Sequence, residues 1–187
     1  IYLDEELAAE DLLFGDIREF NLIDPGSYSV KVTTANSIED VLAEGTITSL
    51  AGVFHTVLVS GLDADRAIFT TQDDFRRVSE RATLAVSNSA PTSGSVDVYI
   101  LLAGESVEDN LPAIPALTYP DHSFLRLPDG TYDIVFTDSG TNTIVLGPEI
   151  LTFDPLGLYR IYLTDSAGGG EPLGIILGDD FDPPFSP

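Results

Sequence analysis

The sequence predicts an all-β chain built as two tandem β-sandwiches of about seven strands each. Three observations carry this. Short runs alternate apolar and polar residues with period two, turn residues punctuate those runs, and the second half repeats the first in order and spacing.

The repeat is legible as a set of nearly constant offsets. "EFNLIDPGSYSVKV" aligns with "SFLRLPDGTYDIVF", pairing Phe20 with Phe124, Ile23 with Leu127, Gly26 with Gly130 and Tyr28 with Tyr132, all 104 positions apart. Gly52 and Phe54 meet Gly157 and Tyr159 at 105. Asp73, Asp74 and Phe75 meet Asp179, Asp180 and Phe181 at 106. Tyr2 matches Tyr99 at 97, so the loop that follows is seven residues longer in the second copy. The expected domains are residues 1–80 and 81–187, with 16 acids and 5 bases (−11) in the first and 15 acids and 3 bases (−12) in the second.

The elements follow in order. "GSYSVKVTT" places Tyr28, Val30 and Val32 on one face, and "GTYDIVFTD" does the same with Tyr132, Ile134 and Phe136. The preceding "IDPG" and "LPDG" are turns, in which proline fixes φ and glycine accepts positive φ. "VFHTVLV" and "LYRIYLT" are matching strands, "AIFTTQ" and "LGIILG" supply a short strand before each Asp-Asp-Phe, and "ATLAVSNSAPTSGSVDVYI" gives two strands around a Ser/Pro/Gly loop. Helix signals are weak. "DEELAAEDLL" has room for a turn or two, and the prolines of "GESVEDNLPAIP" oppose a longer helix.

Composition narrows the function. A hydrophobic content of 43% supports a core, while a net charge of −23 and a single lysine, Lys31, repel phosphate backbones and exclude nucleic acid as a natural partner. There is no cysteine, hence no disulfide, thiol nucleophile or thiolate metal site. No apolar run reaches the ~18 residues of a spanning helix.

The second copy carries Ser89, Ala90 and Pro91, then Val96, Asp97, Val98 and Tyr99, then Pro128, Gly130, Thr131 and Tyr132. With the Asp-Asp close, this order resembles the bacterial envelope repeat known as domain-of-unknown-function family 4397, and the first copy follows it from Tyr2 onward. The resemblance implies tandem immunoglobulin-like or transthyretin-like sandwiches, secretion or envelope attachment, and no known activity. The histidine common in the family's first strand is absent, with Asn88 close to its place.

Candidate chemistry is sparse. Asp138, Ser139, Gly140 and Thr141 fit the Asp-Ser/Thr-Gly-Ser/Thr loop of aspartic proteases, which need two carboxylates sharing a proton. The first copy has "TTANSIED" there, so only a dimer of second copies supplies the pair, and a polar hairpin loop is the expected reading. His55 aligns with Arg160 on a solvent-facing strand face, and His122 falls in a turn. Asp63 and Asp65, and Asp179, Asp180 and Asp182, are oxygen-rich but lack the EF-hand spacing and read as solvated loops. Tyr28, Tyr99, Tyr132, Tyr159 and Tyr162 offer a carbohydrate surface on one reading, but strand-period spacing makes sheet packing the default. No catalytic, cofactor-binding or metal-ligating residue is assigned, and no cofactor is expected.

The expected function is a non-catalytic extracytoplasmic module, for binding or as a structural spacer, at a bacterial cell envelope, with a lipoprotein as one form of attachment. The alternatives are a carbohydrate- or protein-binding adhesin-type domain and an aspartyl hydrolase acting through Asp138. The expected partner is a glycan or an envelope protein, and the expected state is a monomer or weak dimer. The first copy also lacks a counterpart of Thr83–Ser87 and the loop after it. Loss of upstream chain is the favoured explanation, ahead of cover by the "DPPFSP" stretch or by a strand from a second molecule.

Overall fold

The computed structural model describes residues 1–179 apart from Glu19 and Asn36. The second Asp-Asp-Phe and Asp182 therefore lie largely outside the described residues, with Asp179 alone inside them. The described chain is all-β, without an α-helix, and falls into two compact units that divide between Phe75 and Arg76.

The first unit holds β1 (Tyr2–Leu3), β2 (Glu6–Leu7), β3 (Gly26–Thr33), β4 (Val41–Ser49), β5 (Phe54–Ser60) and β6 (Ala67–Asp73). Four of them form a sheet in the order β2-β1-β3-β4, and β5 pairs with β6 in a two-stranded ladder. "DEEL", with room for a helical turn, instead closes the β1–β2 hairpin, where Asp4 and Glu5 take positive φ. Asp4 is fixed there because its Oδ1 accepts the Ser29 N–H at 2.7 Å. Among the described apolar residues of this unit, only Val30, Ala43 and Ile47 are buried.

The second unit holds β7 (Arg81–Asn88), β8 (Val96–Leu101), β9 (Ile114–Leu117), β10 (His122–Pro128), β11 (Gly130–Asp138), β12 (Ile144–Phe153), β13 (Leu158–Thr164) and β14 (Gly174–Gly178). They make two four-stranded sheets, β10-β7-β13-β14 and β12-β11-β8-β9. Every pairing is antiparallel except β7 with β13, which run parallel from Leu158↔Thr83 to Leu163↔Asn88. The sheets face each other across one core. Ala82, Leu84 and Val86 of β7 and Tyr159, Ile161 and Leu163 of β13 enter from one side. Val96 and Val98 of β8 and Tyr132, Ile134 and Phe136 of β11 enter from the other. The alternation of "TYDIVF" is thus the alternation of core and outer face.

The turn before β11 shows why this sequence folds as it does. Tyr132 lies back over Gly130, and its hydroxyl donates to the Pro128 carbonyl at 2.9 Å. Tyr28 repeats the arrangement over Gly26, donating to Asp24 O at 2.7 Å. A Cβ at either glycine would meet the ring at ordinary van der Waals distance, and the hydroxyl ties the ring to the turn's backbone. At Gly157 the fit is closer still, since a Cβ would run into the Tyr159 ring.

His122 opens β10 instead of sitting in the turn, and its ring meets Phe124 edge-on at 5.3 Å. The solvent-facing reading of His55 and Arg160 is also corrected. Arg160 is only 4% exposed, and His55 is half-buried with its Nε2 enclosed. Period two separates the two faces of a strand, but it does not say that the second face is wet.

Phe136→Ala should destabilise the protein by about 3–5 kcal/mol, the cost of a large core cavity. Tyr132→Phe, which removes one hydroxyl bond, should cost about 0.5–1.5 kcal/mol. Urea unfolding midpoints check both, and a Phe136→Ala cost no larger than that of Tyr132→Phe would contradict this packing.

Candidate functional site

The best-formed polar constellation lies at one end of the second unit, where the loops after β7, β9, β11 and β13 meet. Asp97 is its centre. Its neighbours Val96 and Val98 point into the core, so alternation puts Asp97 on the opposite face of β8, where it is 5% exposed. The β8–β9 register shifts between Val96↔Leu117 and Val98↔Ile114, which leaves an irregularity opposite Asp97. Ala116, at positive φ in that irregularity, aims its N–H at Asp97 Oδ1 at 2.7 Å. The same oxygen accepts from Ser139 Oγ at 2.9 Å, and Oδ2 accepts the Gly140 N–H at 2.8 Å.

This explains the protease-like loop. Ser139 and Gly140 hold Asp97 and tie the β11–β12 hairpin to β8. Asp138, the would-be catalytic acid, is exposed. Its backbone carbonyl accepts from the Thr141 N–H and from Thr141 Oγ1, which closes the loop as a polar turn. Burial disfavours the charged form of Asp97, but the three hydrogen bonds outweigh that effect and hold its carboxyl below the usual range.

Asn88 anchors the neighbouring loop. It is fully buried, its Nδ2 donates to Gly94 O and Leu117 O at 3.1 and 3.2 Å, and its Oδ1 accepts from Ala90 N and Ser93 Oγ, both at 3.1 Å. Thr92 Oγ1 donates to the buried Asp165 at 2.7 Å. Sequence alone does not single out Asn88, Asp97 and Asp165 as a constellation. The available signal was an acid inside "VDVY", a strand too apolar to carry an unused carboxylate.

The other candidates stay apart. Asp63 and Asp65 are exposed in a single 3-10 turn, and Asp179 is exposed after β14. Among the described residues no group of three or more His, Asp or Glu is placed to hold a metal ion. Tyr99, Tyr132, Tyr159 and Tyr162 are buried and Tyr28 is half-buried, so these rings pack within sheets and present no open stacking face. No helix among the described residues is long and apolar enough to cross a membrane.

The model of a family described as Domain of unknown function (DUF4397) matches residues 1–99. The chain belongs to this family. The matched stretch runs through β1 to β6 and continues into β7 and β8, so it crosses the division at Phe75. No curated protein matches the chain. Among solved structures, the C-terminal domain of AlgF from P. aeruginosa is similar at 12% identity and a TM-score of 0.39, over 54% of this chain and 98% of that one.

Asp97→Asn should destabilise the second unit by about 1–3 kcal/mol, because an amide cannot accept as a carboxylate does from two N–H groups and a hydroxyl. The folded-state pKa lies below the unfolded one, so the carboxylate contributes stability above the ordinary Asp range, near ~3.9. That contribution is lost as pH falls through the folded pKa. Melting temperatures followed from pH 6 downward should therefore fall more steeply for the wild-type chain than for Asp97→Asn, and parallel curves would refute the assignment.

Proposed function

We propose that this chain is a non-catalytic extracytoplasmic module that acts as a spacer or binding element at a bacterial cell envelope. One observation carries the non-catalytic reading. Asp97, a buried carboxylate that accepts three hydrogen bonds, draws on Ser139 and Gly140, the polar groups of the protease-like loop. Its depressed pKa suits a fixed structural anion, whereas a general acid or base is tuned towards the working pH. Membership in a family of unknown function fits this reading without supplying an activity. The net charge of −23 keeps such a module soluble and clear of anionic polymers, so contact with a partner must be local and specific.

The test has three arms. Incubation with fluorogenic casein between pH 3 and 7 should release no more product from the wild-type chain than from Asp138→Asn. Hydrolysis that this substitution abolishes would overturn the proposal in favour of an aspartyl hydrolase. Fractionation of cells expressing the full-length protein should place it outside the cytoplasm, and recovery in the cytoplasmic fraction would equally overturn it. A glycan array decides between the two forms of the module: saturable binding to one glycan class rejects the spacer.

A further inference from the structure

The turn that leads into β3 carries chemistry that the matching turn before β11 lacks. Both turns are clamped alike. The Tyr132 hydroxyl donates to the Pro128 carbonyl at 2.9 Å, and the Tyr28 hydroxyl donates to the Asp24 carbonyl at 2.7 Å. The residues beneath the two clamps are exchanged. "LPDG" puts proline under the hydroxyl and aspartate after it, whereas "IDPG" puts Asp24 under the hydroxyl and Pro25 after it. The carbonyl that Tyr28 holds is therefore the carbonyl of an Asp–Pro bond.

Three features make that bond reactive. An Oδ of Asp24 and its own carbonyl carbon close a five-membered ring, so attack is intramolecular and needs only rotation of an exposed side chain. Pro25 has no N–H, so its nitrogen cannot attack the carboxyl to form an imide, the usual side reaction of aspartate. As a tertiary amide nitrogen it also takes up a proton more readily than an ordinary peptide nitrogen, and it leaves as a secondary amine. Finally, the Tyr28 hydroxyl already sits on the carbonyl oxygen, where negative charge grows during attack.

A second Asp–Pro bond, Asp154–Pro155, provides a comparison within the same chain. Asp154 is exposed like Asp24. Its carbonyl accepts the Gly157 N–H at a longer 3.1 Å. The nearby tyrosine is bonded the other way round, with the Tyr159 hydroxyl oxygen accepting the Asp154 N–H at 2.9 Å. Only at Asp24 do an exposed carboxylate, a proline leaving group and a short hydroxyl bond to the carbonyl coincide among the described residues.

We propose that the Asp24–Pro25 bond is a self-cleavage site, with the Asp24 carboxylate as nucleophile and the Tyr28 hydroxyl as the donor that stabilises the developing oxyanion. Asp24 Oδ bonds to the Asp24 carbonyl carbon, the bond from that carbon to the Pro25 nitrogen breaks, and the nitrogen takes a proton from solvent. Water then opens the cyclic anhydride, leaving Asp24 with its side-chain carboxyl and a new terminal one. The sum is a hydrolysis that consumes one water, with nothing oxidised or reduced. It is a single-turnover event, so it goes beyond the spacer or binding reading without making the module an enzyme. The cut does not free the front segment. β1 stays in its ladder with β3 through Tyr2↔Lys31 and Leu3↔Val30, and Asp4 keeps both its bonds to the Ser29 backbone. The product is a nicked module whose larger piece begins at Pro25.

The purified 187-residue chain, held at pH 5 and sampled over days by mass spectrometry under denaturing conditions, tests this. Fragments 1–24 and 25–187 should appear faster than fragments 1–154 and 155–187, by about tenfold or more, less than a fully enclosed oxyanion site gives. Tyr28→Phe should remove that preference while the cut at Asp154 keeps its rate, a split that a general loosening of the fold would not produce. The double substitution Asp24→Pro with Pro25→Asp, which copies the order found before β11, should abolish the first cut and leave the melting temperature near that of the wild-type chain. In denaturing guanidinium chloride the clamp is gone, and both bonds should be cut at similar rates. No preference for the Asp24 bond in the folded chain overturns the proposal. So does a preference that survives in guanidinium chloride or in Tyr28→Phe. A rate that rises with protein concentration would also overturn it, by assigning the cut to a second molecule.

Discussion

The parallel contact between β7 and β13 is the constraint on which the second unit depends. Parallel strands cannot be joined by a hairpin, so the chain must leave β7, build the whole opposing sheet and β10, and return as β13. That detour makes the unit a closed sandwich. It sets Ala82, Leu84 and Val86 beside Tyr159, Ile161 and Leu163 as one apolar layer, against which β8 and β11 pack. β7 is bonded on both edges, and seven of its eight residues are buried. A strand so placed decides whether its neighbours are strands at all. Among the described strands β10 pairs with β7, so its place in the sheet rests on β7.

The polar end of the sandwich follows from the same arrangement. Loops that leave a closed sandwich converge, and their backbone groups, out of reach of the ladders, need partners when buried. Asn88 uses both atoms of its amide to join the loop after β7 to the end of β9. Asp97 joins β9 to the β11–β12 hairpin. Each is a buried polar group whose cost is offset by several bonds at once, and removing either would strand donors or acceptors from two separate loops. Short polar motifs in "SNSAPTSG", "VDVY" and "DSGT" are thus parts of one network and not three sites.

Much of this fold is legible in the sequence. Alternation alone places Tyr132, Ile134 and Phe136 on one face, and Pro and Gly give the turns before β3 and β11, because these signals are local. The all-β class and the family follow from the same residues. The function of Asp97 was not legible, because it depends on a register shift between β8 and β9 that brings the Ala116 N–H to face it. The burial of Arg160 was hidden for a related reason. Alternation distinguishes the two faces of a strand but carries no information about what lies beyond each face. The protease-like loop misled in a similar way, since a four-residue match reports composition, while a catalytic dyad is a distance between two side chains.

In the second unit the tyrosines form no saccharide platform. Saccharides are held by open aromatic faces flanked by polar groups with bonds to spare. Here Tyr99, Tyr132, Tyr159 and Tyr162 are buried, and the hydroxyls of Tyr132 and Tyr159 are tied to backbone groups at Pro128 and Asp154. The exposed apolar side chains of the second unit are aliphatic and scattered, Leu111, Ile150 and Leu102 among them, which is ordinary for a soluble surface. Among the described residues of the first unit, seven exposed large apolar side chains fall between Leu7 and Ile23, ahead of β3, and Ile38, Val41, Leu42, Leu50 and Leu62 are spread beyond them. A module of this kind needs a closed core, strand edges that do not recruit neighbours, and enough negative charge to stay clear of anionic surroundings. The second unit has all three, and the first has the charge and, on three of its four outer strands, the guarded edges.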